Sequence, residues 1–173
     1  MSIKKQSSVL GRLIDGQRGL VVTLKNVYSG GYLAVDTDRN LLAINDSKSS
    51  SVCAEWLLEP MWLNGVLRVR LRSVALSSEY LATGRNGSTW SRTASADNWP
   101  PVETDWILNN YFPMEGETTM DRYSVVSAQG GEYLYTSVND DIGQIILIET
   151  ANDTTNPLGV WIDEKNQWSF HLL

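Results

Sequence analysis

Gly31-Tyr32-Leu33-Ala34-Val35, Glu79-Tyr80-Leu81-Ala82-Thr83 and Glu132-Tyr133-Leu134-Tyr135-Thr136 are three versions of one stretch. Each is followed by a lone tryptophan in a short strand-like run: Glu55-Trp56-Leu57-Leu58, Asp105-Trp106-Ile107-Leu108 and Gln167-Trp168-Ser169-Phe170. The tyrosines recur about every fifty residues, the period of an internal structural repeat. The chain therefore reads as three units of one design.

Outward from these pairs, the sequence is strand-like from Leu20 onward, with runs of Val, Leu, Ile and Tyr bounded by Gly, Asn, Asp and Ser. Predicted strands are 20–25, 32–35, 41–44 and 55–59 in the first repeat; 66–72, 80–83, 89–92 and 105–108 in the second; and 122–127, 133–136, 144–149 and 168–172 in the third. The clearest alternation puts Leu67, Val69 and Leu71 on one face and Arg68, Arg70 and Arg72 on the other, so one face packs and one meets water. Counting back from each Tyr-Leu pair, Val22 and Leu24 correspond to Val69 and Leu71, and to Tyr123 and Val125.

A four-stranded unit of this period also suits a propeller blade, but propellers close with four or more blades and this chain has room for three units. Three such units can close as a six-stranded barrel capped by three hairpins. The expected fold class is all-β, a single domain over 20–173 with repeats of about 20–60, 61–110 and 111–173. An N-terminal arm over 1–19 precedes it, with a helical turn around 9–14.

Leu24-Lys25-Asn26 followed by Gly31-Tyr32-Leu33-Ala34-Val35-Asp36, Leu71-Arg72-Ser73 followed by Tyr80-Leu81-Ala82-Thr83, and the closing Gln167-Trp168-Ser169-Phe170-His171 resemble the β-trefoil superfamily, particularly its ricin-B-like lectins and fascin-like domains. The resemblance covers about residues 20–173 and implies a β-trefoil. For function it implies a range, because lectins, actin cross-linkers, protease inhibitors, cytokines and insect haemolymph lipoproteins share that fold. Ricin-type lectins carry Gln-x-Trp near each repeat end. Here the tripeptides are Ala54-Glu55-Trp56, Thr104-Asp105-Trp106 and Asn166-Gln167-Trp168.

With 173 residues, 42% of them hydrophobic and 20% charged, the composition is that of one soluble globular domain. A single cysteine, Cys53, cannot staple the chain internally, and its neighbours Val52 and Ala54 predict a buried thiol. A net charge of −6 opposes binding to a phosphate backbone, so nucleic acid is not an expected partner. No apolar run approaches the roughly 20 residues of a membrane span. The start, Met1 to Ser8, has no apolar signal-peptide stretch, which predicts a cytoplasmic protein or leaderless secretion.

The repeated Trp56, Trp106 and Trp168, with Tyr32, Tyr80 and Tyr133, are expected to fill the core of a threefold barrel. Trp62, Trp90, Trp99 and Trp161 fall outside the repeated pattern. A ring presented by a loop beside Asp or Asn suits a sugar, whose CH groups stack while its hydroxyls bond to carboxylate and amide oxygens. Asn86-Gly87-Ser88-Thr89-Trp90 and Asp97-Asn98-Trp99-Pro100 have this composition. Rings that merely cover the barrel ends would look the same. Asp36 and Asp38, and Asn139 and Asp140, follow the Tyr-Leu strand of repeats one and three where Asn86 stands in repeat two. The lectin resemblance makes them candidates, although hairpin turns favour these residues for backbone reasons alone.

Repeat three has the longest Tyr-to-Trp connection. Its extra residues fall between Glu149 and Trp161, and long loops on rigid scaffolds are frequent sites of function. Arg68, Arg70 and Arg72 are read as a soluble face, with joint anion binding as the alternative. The acceptor pattern for N-glycosylation occurs at Asn45, Asn86 and Asn152. His171 and Cys53 are not brought together by the sequence as base and nucleophile, and no Gly-rich phosphate loop or metal-spaced cluster occurs. No catalytic residue, metal or cofactor is expected.

The function expected is glycan binding without chemistry, through Asn86, Trp90, Asp97, Asn98, Trp99, Asp36, Asp38, Asn139, Asp140 and Trp161. Expected partners are glycans or glycoproteins, and a homodimer stays open. The alternatives are a fascin-like actin-binding trefoil, a protease inhibitor acting through 149–163, and, through Glu55-Trp56-Leu57-Leu58-Glu59-Pro60, a trefoil of the insect lipoprotein kind.

Overall fold

The computed structural model describes residues 8–44, 52–83, 92–95, 102–110, 121–131, 133–137, 147–151 and 166–173. A short helix, α1 (Val9–Ile14), precedes β1 (Leu20–Asn26), β2 (Tyr32–Asp36), β3 (Leu41–Ile44), β4 (Val52–Cys53) and β5 (Trp56–Leu63). Next come β6 (Val66–Ser73), β7 (Glu79–Ala82), β8 (Arg92–Ser95), a 3-10 turn (Val102–Thr104) and β9 (Trp106–Asn110). The last repeat supplies β10 (Arg122–Ser127), β11 (Tyr133–Ser137), β12 (Leu147–Ala151) and β13 (Gln167–Leu172).

Six strands close a barrel through antiparallel ladders running β1–β5–β6–β9–β10–β13 and back to β1. Closure leaves no unpaired edge in the wall. The other strands form the hairpins β2–β3, β7–β8 and β11–β12. Each hairpin hangs from the first barrel strand of its repeat through the tyrosine of the Tyr-Leu pair: Lys25↔Tyr32, Arg72↔Tyr80 and Val126↔Tyr133.

The threefold register runs through the tryptophans. Trp56 pairs with Val22, Trp106 with Val69 and Trp168 with Tyr123, while their other neighbours are Ser73, Ser127 and Asn26. All three indoles are fully buried, as are Val22, Leu24, Leu71, Tyr123 and Val125, with Val69 nearly so. The alternation expected of the first barrel strands is thus the alternation that fills the core. In repeat three a ring replaces the aliphatic side chain, and Tyr123 packs edge-on against Phe170 with centroids 5.1 Å apart.

The residue ending each first strand shapes the turn that follows. Asn26 Oδ1 accepts the Tyr28 and Ser29 N–H groups at 3.1 and 3.0 Å, Ser73 Oγ accepts Leu76 N–H at 3.1 Å, and Ser127 Oγ accepts Gly130 N–H at 3.3 Å. All three side chains are buried, so the chain can turn without orphaning these donors.

Several expectations are corrected. Where strands were expected over 89–92 and 144–149, the described residues form β8 (Arg92–Ser95) and β12 (Leu147–Ala151), which end later than expected, while 89–91 and 144–146 lie outside the described residues. Pairing decides both, since Tyr80 faces Ala94 and Thr136 faces Ile148 whatever the local residue preference. Tyr80 is buried as expected, but Tyr32 and Tyr133 are half-buried, and Lys25 Nζ stands 5.5 Å from the Tyr32 ring centroid. The side chain of Cys53 lies outside the described residues.

Within the N-terminal stretch, α1 packs inward. Val9 and Leu13 belong to the core cluster, and the Val9 N–H donates to Asp121 Oδ1 at 2.7 Å. Tyr123 Oη accepts Leu10 N–H at 3.1 Å and donates to the same Asp121 oxygen at 2.8 Å. The helix therefore sits at the barrel end where β10 begins, the end opposite the hairpins.

Candidate functional site

Of the residues expected to bind ligand, the structure describes Asp36 and Asp38. Asn86, Trp90, Asp97, Asn98, Trp99, Asn139, Asp140 and Trp161 lie outside the described residues, as do the glycosylation patterns at Asn45, Asn86 and Asn152. The connection placed at 149–163 begins later than expected, because Glu149, Thr150 and Ala151 pair with Tyr135, Leu134 and Tyr133 in β12.

The turn after β2 is closed by its own acid. Asp36 Oδ1 accepts the N–H groups of Asp38 and Asn40 at 2.9 and 2.8 Å, and Asp36 Oδ2 accepts Asn40 Nδ2 at 3.3 Å. Asp36 is thereby a shaping residue. Asp38 and Asn40 stand exposed on the turn it fixes. Arg39 adopts a left-handed φ of 68°, and its Nε reaches Glu79 Oε1 at 3.4 Å, tying this turn to the buried start of β7 in the next repeat.

A second polar cluster lies on the outer wall, where the three arginines of β6 were expected to face water or a common anion. They face carboxylates instead. Arg70 Nε meets Asp105 Oδ1 at 2.7 Å, Arg68 Nη1 meets Asp105 Oδ2 at 3.3 Å, and Arg72 Nε meets Glu59 Oε1 at 2.9 Å. Asp105 is buried, and Arg68 and Arg70 are mostly covered. Sequence alternation identified their face correctly but could not show that β9 brings an acid under it. The Tyr80 hydroxyl donates to Glu59 Oε2 at 3.1 Å; burial first, then the Glu59 carboxylate, raises its pKa.

Among the described residues no group of three or more His, Cys, Asp or Glu is placed to hold a metal ion, and no helix is long and apolar enough to cross a membrane. One exposed ring was not among the expected ligand-binding residues. Trp62 stands 57% exposed beside Leu63 and Val66 at the tip of the β5–β6 hairpin. The available signal was the Asn64-Gly65 dipeptide, which marks a tight hairpin tip two residues after that tryptophan.

No model of a known protein family matches the sequence, and no curated protein matches it. Solved structures do match. The designed threefold-symmetric protein ThreeFoil aligns at TM-score 0.63 and 15% identity over 88% of this chain and 99% of that one. A structure described as the BEL beta-trefoil aligns at TM-score 0.64 and 12% identity over 91% and 95%. The fold is the β-trefoil. The Polyporus squamosus lectin, solved with a human-type influenza-binding epitope, aligns at TM-score 0.60 and 15% identity, this β-trefoil covering 50% of its length. A mosquitocidal holotoxin also contains a matching portion. Lectins and toxins therefore both use this β-trefoil architecture, at identities that carry the fold alone.

Proposed function

We propose that this β-trefoil binds glycans or glycoproteins and performs no chemistry on them. The observation that carries the reading is the turn after β2. Asp36 spends its carboxylate on the turn's own backbone and leaves Asp38 and Asn40 exposed on a shaped surface. A carboxylate and an amide on a pre-shaped turn can take sugar hydroxyls with little ordering cost. The Polyporus squamosus lectin, bound to a sialylated epitope, supports the choice of ligand class. The aromatic partners in this reading are Trp90, Trp99 and Trp161, with Asn86, Asp97, Asn98, Asn139 and Asp140 as further polar contacts.

A glycan-array screen with free-sugar competition tests the proposal. The expected result is competable binding that Asp38→Ala or Trp99→Ala weakens about tenfold or more, the scale of one good polar or stacking contact. A blank array with folded protein overturns the reading. Binding indifferent to Asp38→Ala, Trp99→Ala and Trp161→Ala overturns the site.

A further inference from the structure

Asn64 and Gly65 close the β5–β6 hairpin. β5 ends at Leu63, β6 begins at Val66, and these two residues pair directly, so the connection is a two-residue turn. Asn64 and Gly65 have positive φ of 51° and 77°, as the tight turn that matches strand twist requires. Both are exposed. Among the described residues no hydrogen bond holds the Asn64 side chain, and the Gly65 N–H donates to no backbone carbonyl.

The other described asparagines are guarded. Asn26 is buried, its Oδ1 accepts the Tyr28 and Ser29 N–H groups, and the N–H that follows it, that of Val27, donates to the Gln167 carbonyl at 3.0 Å. Asn40 Nδ2 donates to Asp36 Oδ2 at 3.3 Å, and the branched Leu41 of β3 comes directly after it. Asn109 and Asn110 lie in β9, and Asn166 is buried. Of the described asparagines only Asn64 is followed by glycine, a residue with no Cβ to hinder the approach of its own nitrogen to a neighbouring group.

We propose that Asn64 is a site of spontaneous deamidation, at which the hairpin tip ages from an amide to a carboxylate. The Gly65 nitrogen attacks Asn64 Cγ, a C–N bond forms, and Nδ2 leaves as ammonia, taking up the proton that the Gly65 nitrogen gives up. Nucleophile and carbonyl belong to adjacent residues, so the ring closure is intramolecular and needs no enzyme. Water then opens the cyclic imide at one of its two carbonyls. Opening at Cγ gives aspartate. Opening at the main-chain carbonyl gives isoaspartate, whose backbone runs through Cβ and Cγ and is longer by a carbon atom. Either product adds a negative charge beside the exposed Trp62, Leu63 and Val66, in a chain whose net charge is already −6. Isoaspartate also lengthens a turn built for two residues, so the Leu63↔Val66 pair is the first to open.

Peptide mapping of the folded full chain after prolonged incubation at mildly alkaline pH tests the proposal. Cleavage after Lys48 and Arg68 releases 49–68, in which Asn64 is the single asparagine and no glutamine occurs. This peptide is expected to become heavier by the difference between an oxygen atom and an NH group and to split into aspartyl and isoaspartyl forms. The conversion should quicken as pH rises, because the attacking nitrogen must lose its proton. Gly65→Ala is expected to slow it about tenfold or more by hindering that nitrogen, with thermal unfolding as the check on the variant's fold. Folded wild type whose 49–68 stays unmodified overturns the proposal, and conversion of the same chain in denaturant would then locate the protection in the turn. Conversion unchanged in a folded Gly65→Ala variant overturns it equally.

Discussion

The indole Nε1 of Trp56 donates a hydrogen bond of 3.0 Å to the carbonyl oxygen of Leu33. Trp106 does the same to Leu81 and Trp168 to Leu134, both at 3.0 Å. The Tyr-Leu pair and the downstream tryptophan are thus the two ends of one buried bond, made three times. It fastens the leading strand of each hairpin, β2, β7 or β11, to the last barrel strand of the same repeat. A ring that fills the barrel needs a partner for its N–H, and a leucine carbonyl in the hairpin strand supplies it.

Trp106→Phe keeps most of the buried ring and removes the donor, leaving the Leu81 carbonyl without its indole partner. A loss of about 1–3 kcal/mol is expected, read by urea unfolding with an unchanged m-value. Trp106→Ala adds a cavity and is expected to cost about 3–5 kcal/mol.

Asp105→Ala leaves the guanidinium groups of Arg68 and Arg70 under the barrel wall without their carboxylate. Breaking a covered charge pair on one side costs about 3–5 kcal/mol, and chemical denaturation should show a loss of that order. A change below ~1 kcal/mol, the worth of a surface pair, would mean that water reaches both guanidinium groups.

Tyr123 titrates late, its pKa pushed up to about 12 by burial first and then by its hydrogen bond to Asp121. Because the folded pKa lies above the ordinary phenol value of 10.0, the fold holds the phenol proton more tightly than the unfolded chain does. The associated stability is complete below pH 10 and falls as pH rises towards 12. Each tenfold tightening of proton binding is worth about 1.4 kcal/mol, so the full loss is on the order of 3 kcal/mol. Stability measured against pH in Tyr123→Phe should lack this alkaline decline.

Asp121 combines a left-handed φ of 64° with an oxygen that accepts from both Val9 N–H and Tyr123 Oη. Asp121→Ala loses both bonds and retains the awkward backbone, so a cost of about 1–3 kcal/mol is expected, with faster proteolysis between residues 8 and 19. Asp121→Asn keeps an acceptor and tolerates the conformation. It should recover most of the loss.

Much of this β-trefoil is legible in its residues. The Tyr-Leu and Trp repeats, the apolar alternation of 66–72 and the matched positions Val22, Val69 and Tyr123 report local geometry, because a strand must place alternate side chains on opposite faces. The candidate ligand-binding set was less legible. Asp36 and Asp38 are two residues apart in a turn of suitable composition, and nothing in their identity says that one carboxylate is spent on the backbone while the other residue stands exposed. The same limit applies to the tryptophans: Trp56 is fully buried and Trp62 largely exposed, six positions along one strand.

The sequence by itself determined the threefold repeat, the strand alternation and the residues that fill the barrel, since these follow from periodicity and side-chain type. Only the tertiary structure decided which groups from distant segments meet. It brought Asp105 beneath Arg68 and Arg70, ran Arg39 across to Glu79, set α1 against Asp121 and Tyr123, and left Trp62 exposed near the β5–β6 turn. Long-range contacts of this kind depend on how strands pair and where each ladder ends, and no local pattern of residues encodes that.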